Sequence, residues 1–135
     1  MKKYYSVSEA EAMIPKMKEK MVDLMKLSKA IDLLDSIDIQ YDDEYETIKR
    51  DVLMNKKFHE FSLRFCKEVE KLLGQGIVLK DIDQGLVNFF SMHAGKEVFL
   101  CWKMGEDKIQ HWYELDSSYE FKKTVDELKG KKKRI

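Results

Sequence analysis

With 135 residues, 44% of them hydrophobic, 37% charged and one proline, the chain has the size and composition of one folded domain, not of a disordered segment or a disulfide-stapled miniprotein. Lys plus Arg and Asp plus Glu are both 25, so the formal net charge is zero, whereas nucleic-acid-binding domains carry a basic excess. No apolar run approaches the ~20 residues of a membrane span, and Met1-Lys2-Lys3-Tyr4-Tyr5 lacks the apolar core of a signal peptide. A cytoplasmic location is therefore expected.

Ser6-Val7-Ser8-Glu9 fits a capping box, in which the Ser6 hydroxyl accepts from the Glu9 amide while the Glu9 carboxylate reaches back to the Ser6 amide. A helix is predicted to start there. Pro15 lies too deep for the first turn and is expected to kink that helix or split off a short leading turn. From the residue before it, Ile14, Met17, Met21, Leu24, Leu27, Ile31, Leu34 and Ile37 recur at steps of three and four, one stripe of a helix. A Met-rich stripe can serve as an adaptable binding groove, but core packing is its commoner use.

Residues 38 to 43 break the pattern. A second helix is predicted from Asp43 or Glu44, with the stripe Ile48, Val52, Phe58, Phe61, Phe65, Val69 and Leu72, ending at Gly74-Gln75-Gly76. Two helices of about 30 residues, each roughly 45 Å long, joined by a short link, should fold back antiparallel. A two-helix hairpin leaves one face for something else to cover. The sheet or a second subunit could do so, and a homodimer is expected.

After Gly76 the period changes. Short strands are predicted at Ile77 to Lys80, Leu86 to Met92, Glu97 to Lys103 and Ile109 to Leu115, separated by Gly-containing turns. Residues 119 to 129 read as a short helix on the sheet edge. The expected architecture is α+β: a long N-terminal antiparallel helical hairpin (6–74) packed with a C-terminal antiparallel β-meander of three to four strands (77–117), then a short helix and a basic tail (118–135), all in a single domain. Cys66 and Cys101 match no metal spacing and are expected to be buried thiols in a reducing compartment.

Charge is segregated within the neutral total. Residues 30 to 48 hold seven acids and no Lys or Arg, while the chain ends Lys129-Gly130-Lys131-Lys132-Lys133-Arg134-Ile135. Such a tail could touch nucleic-acid or membrane phosphates. A frayed, solvated end accounts for the same run.

Several stretches are familiar. Leu79-Lys80-Asp81-Ile82-Asp83-Gln84-Gly85-Leu86-Val87-Asn88-Phe89, Gly95-Lys96-Glu97-Val98-Phe99-Leu100-Cys101-Trp102-Lys103-Met104-Gly105-Glu106 and Ile109-Gln110-His111-Trp112-Tyr113-Glu114-Leu115-Asp116 resemble an uncharacterised family of small proteins, the domain of unknown function family 2203. Tyr5 to Pro15 is similar to the family's opening. The resemblance runs from residue 5 to about 117, specific in the C-terminal third and loose along the helices. It implies no activity. The chain departs from the family's pattern at Asn88, where the family has Asp; at Phe90, where it has Pro; at Tyr113, where it has His; and at Ser118-Tyr119 with the Lys-rich tail, in place of a Gly-Phe and Arg stretch. If the family uses that Asp and His in a polar site, the resemblance implies that the site is lost or altered in this chain.

Asp81, Asp83, Glu106, Glu114, Asp116 and His111 are the candidate site residues. Carboxylates gathered at one sheet end could hold a divalent cation through oxygen ligands or, with split pKa values, do acid–base work. Equally, Asp in a turn satisfies backbone amides and acids on a strand meet solvent. Trp102, Trp112, Phe89 and Phe99 could form a stacking platform for bases, or pack as core and cross-strand neighbours. His59 and His93 read as surface groups. No motif indicates a cofactor: there is no phosphate-cradling Gly loop, dinucleotide fingerprint or zinc spacing.

Two functional expectations follow. The first is a non-enzymatic interaction or scaffolding protein whose hairpin meets a second copy or another protein. The second is a small enzyme or ligand-binding domain with a carboxylate-rich, divalent-metal-binding site at one end of the sheet. Nucleic-acid contact is confined to the basic tail, 129–135.

Overall fold

The computed structural model describes residues 3–36, 44–126 and 128. Helix α1 spans Val7–Ser36 and α2 spans Glu44–Gly74. Five strands follow: β1 (Ile77–Asp81), β2 (Leu86–His93), β3 (Lys96–Lys103), β4 (His111–Glu114) and β5 (Lys123–Thr124), with a 3-10 turn at Tyr119–Phe121. They form one antiparallel sheet in the order β1-β2-β3-β4-β5, a meander with no crossover.

The capping box forms as the sequence predicts. The Ser6 amide donates to Glu9 Oε1 at 3.0 Å, and the Glu9 amide donates to Ser6 Oγ at 3.2 Å. Both bonds hold the Glu9 carboxyl below its ordinary value, the backbone one most strongly. Pro15 does not split the helix, which runs unbroken from Val7 to Ser36. Its ring is exposed, so the Glu11 carbonyl deprived of its partner lies on the solvent side.

From α1 the side chains of Ala10, Ile14, Met17, Met21 and Leu24 are buried. Their four-three-four-three spacing keeps them on the face that meets the sheet. The sheet answers with its alternate residues. Val87 is opposite Trp102, Phe89 is opposite Leu100, and Leu100 is opposite Trp112, so one face of β2, β3 and β4 is continuous core. Trp102, Trp112 and Phe89 are therefore packing residues, with the indoles tied to backbone: Trp102 Nε1 donates to the Glu106 carbonyl and Trp112 Nε1 to the Thr124 carbonyl. Phe99 lies on the other face.

The segment before α1 is bound into the same sheet. The Tyr5 amide donates to the Phe90 carbonyl, the Phe90 amide to the Gly76 carbonyl, and the Tyr5 hydroxyl to the Gln75 carbonyl. Gly76 is at φ +81, and a Cβ built there would stand 2.3 Å from the Lys3 carbonyl oxygen, so neither the conformation nor the space admits a side chain.

Several expectations are corrected. The meander has five strands instead of three to four, and the last predicted strand shortens to His111–Glu114. The first half of the helix expected over 119–129 is instead a 3-10 turn followed by β5, because Lys123 and Thr124 pair with Trp112 and His111; Asp126 and Leu128, beyond it, are helical. Cys66 is exposed; Cys101 is buried. On α2, Ile48 and Val52 face solvent, whereas Phe58, Phe61, Phe65 and Val69 are half-buried and Leu72 is buried. Ile37, the link at 38–43 and the tail at 129–135 lie outside the described residues. No described helix is long and apolar enough to cross a membrane.

Candidate functional site

The strand register decides which of the six sequence candidates meet. Leu86 pairs with Lys103, so the β1–β2 turn and the β3–β4 loop share one end of the sheet. Asp81, Asp83 and Glu106 are there. Val98 pairs with Glu114, close to the β2–β3 turn, so Glu114 and the exposed Asp116 beyond it belong to the opposite end. The six do not converge.

At the first end two of the three carboxylates are engaged by backbone, and Asp83 is exposed. Asp81 Oδ1 accepts from the amides of Asp83 at 3.0 Å and Gln84 at 3.2 Å, shaping the β1–β2 turn. Glu106 Oε1 accepts from the Lys103 amide at 2.9 Å and closes the β3–β4 loop. Glu106 and His111 share one surface: with Glu11, Asp107 and Asp126 they line an open groove of about 830 Å³. One wall is fixed by Glu11 Oε2, which accepts from the Ile109 amide at 3.1 Å, and by an exposed ion pair between Lys18 and Asp107. Among the described residues no group of three or more His, Cys, Asp or Glu side chains is arranged to hold a metal ion.

The back of the sheet carries a second polar cluster, which sequence reasoning missed. Asn88, Cys101 and Tyr113 are buried on neighbouring strands, and Asn88 Nδ2 donates to the Tyr113 hydroxyl across β3 at 2.7 Å. Phe90, Phe99, Tyr113 and Tyr119 form an aromatic row beside them, with ring centroids 5.0, 5.5 and 6.4 Å apart in turn. Burial pushes the Cys101 thiol up to about 12; the Glu106 charge adds to this, while Lys122 and Lys80 oppose it. Burial likewise raises the Tyr113 hydroxyl, and its bond from Asn88 only partly offsets this. All three groups are neutral near pH 7. They can accept and donate hydrogen bonds. The available signal was Asn88, an amide inside an otherwise apolar strand.

The hairpin holds the remaining candidate surface. At 100° per residue, Met54, Phe58, Phe61, Phe65 and Leu72 share the side of α2 that packs inward. Tyr45, Ile48, Val52, Leu63, Cys66 and Leu73 fall within about 80° of one another on the other side. Ile48, Val52, Leu63 and Leu73 are 56%, 61%, 57% and 54% exposed. Asn55, His59 and Glu70 fall inside the same arc and interrupt the row. Between the helices, where Lys20 bridges Glu68 at 3.0 Å, a shallow groove of about 400 Å³ has Leu24, Leu27 and Phe61 as its floor.

The sequence model of the family described as "Uncharacterized conserved protein (DUF2203)" matches residues 3–125. The chain belongs to this family. No curated protein and no solved structure matches it. DUF2203 membership assigns no role to the back-face pair, Asn88 and Tyr113, which are bonded to each other.

Proposed function

We propose that this protein is an interaction module that uses the outer face of α2 to bind a second copy of itself. The observation behind this reading is the row Ile48, Val52, Leu63 and Leu73, more than half exposed on a helix whose other apolar side faces α1 and the sheet. Exposed apolar side chains gathered on one side of a helix mark association sites in soluble proteins. Half-burying such a side chain contributes roughly 1–1.5 kcal/mol. Four from each copy contribute about 8–12 kcal/mol, against about 4–15 kcal/mol for lost translational and rotational freedom. A weak, concentration-dependent dimer follows, not a permanent one. The two free thiols fit a reducing, cytosolic setting.

Sedimentation equilibrium from about 1 μM to 1 mM brackets such an affinity. The intact chain is expected to pass from monomer to dimer in that range. The variant Val52→Glu with Leu63→Glu is expected to stay monomeric at unchanged helical content. A dimer of equal strength in the variant would refute the α2 face.

A second reading, small-ligand binding, is favoured by the groove at Glu106 and His111, whose volume falls in the usual ~300–1,000 Å³ of ligand sites. Native mass spectrometry should then show one added mass per subunit, lost on His111→Ala. A bare spectrum in both proteins removes this reading.

A further inference from the structure

The two helices leave a cleft between them where the sheet stops covering α1. Lys20 of α1 bridges Glu68 of α2 at 3.0 Å, which marks how the antiparallel pair is aligned. Equal steps along both helices from that bridge set Leu24 roughly level with Arg64 and Leu27 roughly level with Phe61. Leu34 and Met54, which line one hollow further out, fit the same alignment. Leu24 is buried, Leu27 and Phe61 are half-buried, and Ala30, three residues on, offers only a methyl group to the space beside them. The groove that remains, about 400 Å³, has the volume of a small-ligand site.

The rim of this groove is charged, and its charges do not cancel. Lys20 and Glu68 neutralise each other. That leaves Lys26 and Arg64 against Asp23. All three are exposed, and among the described residues none of the three is in an ion pair. Arg64 stands level with Leu24, and Lys26 is two residues further along α1, about 3 Å. The two cations therefore flank the start of the apolar floor from opposite helices. A guanidinium fork pairs with a carboxylate through two parallel hydrogen bonds, and a Lys ammonium adds a point charge. With Asp23 beside them, Lys26 and Arg64 carry a single net positive charge. That balance suits a monoanion and not a phosphate ester, which carries up to about two negative charges.

We propose that the groove between α1 and α2 binds a small amphipathic monocarboxylate, its carboxylate held by Arg64 and Lys26 and its apolar tail laid over Leu27, Ala30 and Phe61. Phe61 and Arg64 stand at least 100° round α2 from Ile48, Val52, Leu63 and Leu73. The site is thus independent of the α2 row, and of the groove at Glu106 and His111.

Octanoate is the probe, titrated into the intact chain at fixed protein concentration and followed by amide proton–nitrogen correlation spectra. Saturable shifts are expected at Leu24, Leu27, Phe61 and Arg64. Each methylene that leaves water tightens binding by up to about fourfold, so hexanoate should bind roughly tenfold more weakly. Octanol has a similar tail and no charge. It should bind at least about tenfold more weakly than octanoate, the usual worth of hydrogen bonds between charged groups. The variant Lys26→Gln with Arg64→Gln changes two exposed side chains and should keep the fold, read from unchanged shifts in the sheet. In it octanoate should lose its advantage and bind no better than octanol. Three results overturn the inference: no saturable shift, shifts centred on Ile48, Val52 and Leu63 instead, or octanoate bound equally by the variant and the intact chain. None of them bears on whether the α2 row forms a dimer, which sedimentation reads separately.

Discussion

The two halves of the hairpin are built from the same kind of sequence and end in different states. In α1, Ile14, Met17, Met21 and Leu24 are buried, whereas Leu27, Ile31 and Leu34, next on the same stripe, are only half-buried. In α2, Leu72 is buried near the sheet, Phe58 and Phe61 are half-buried, and Ile48 and Val52 are in solvent. Apolar spacing makes a helix amphipathic, but burial depends on having a surface opposite. The sheet provides that surface for the first two-thirds of α1. Beyond it each helix has only the other, and a pair of cylinders cannot cover its own outer sides.

Mutations on the two sides of that boundary should separate sharply. Trp102→Ala, in the sheet core, is expected to cost about 3–5 kcal/mol in urea unfolding. A loss below 1 kcal/mol would mean the sheet is not the stabilising half. Gly76→Ala should cost about 2–3 kcal/mol, since it combines a left-handed backbone with collision against the Lys3 carbonyl; an unchanged midpoint would show that the N-terminal segment does not hold the sheet. In the projecting half, Leu34→Ala should cost only about 1 kcal/mol, the value for a half-exposed side chain, and a loss as large as that of Trp102→Ala would erase the contrast.

The smallest effect is electrostatic and lies at the boundary. The Lys20 bond, aided by Lys71, holds the Glu68 carboxyl below its ordinary 4.5. A carboxyl depressed on folding stabilises above its unfolded value, and that contribution fades as pH falls through the folded one. Glu68→Gln should therefore lower stability by less than about 1 kcal/mol at neutral pH. It should also lessen the decline in melting temperature below about pH 4.5. Parallel acid profiles for the two proteins would show that the bridge contributes nothing.

What could be read from the sequence was what depends on near neighbours. Ser6 and Glu9 announce their mutual bonds because the capping box is closed within four residues. The stripe from Ile14 to Leu24 and the turns at Gly85 and Gly95 are equally local. The exposure of Cys66 was not legible. It is one helical step from half-buried Phe65, and which of the two faces inward depends on where α1 lies. The division of the acids was hidden for a related reason. Asp81 and Glu114 look alike as strand-end residues until the pairing of Val98 with Glu114 assigns them to opposite ends. Asn88 and Tyr113 are 25 positions apart and reach each other across an intervening strand, so only the register reveals them.

The bonds joining Tyr5 to Phe90 and Ser91 have a consequence for synthesis. Ser91 Oγ donates to the Tyr5 carbonyl across 86 positions of chain. A ribosome adding about 5–20 residues per second emits the whole hairpin about 1–4 s before the strand that seats Tyr5 is complete. During that interval α1 can coil on its local cap, but Met17 and Met21 have no sheet to meet. A nascent-chain arrest series should show protease resistance of the N-terminal segment arriving in one step, only after β2 and β3 have cleared the exit tunnel.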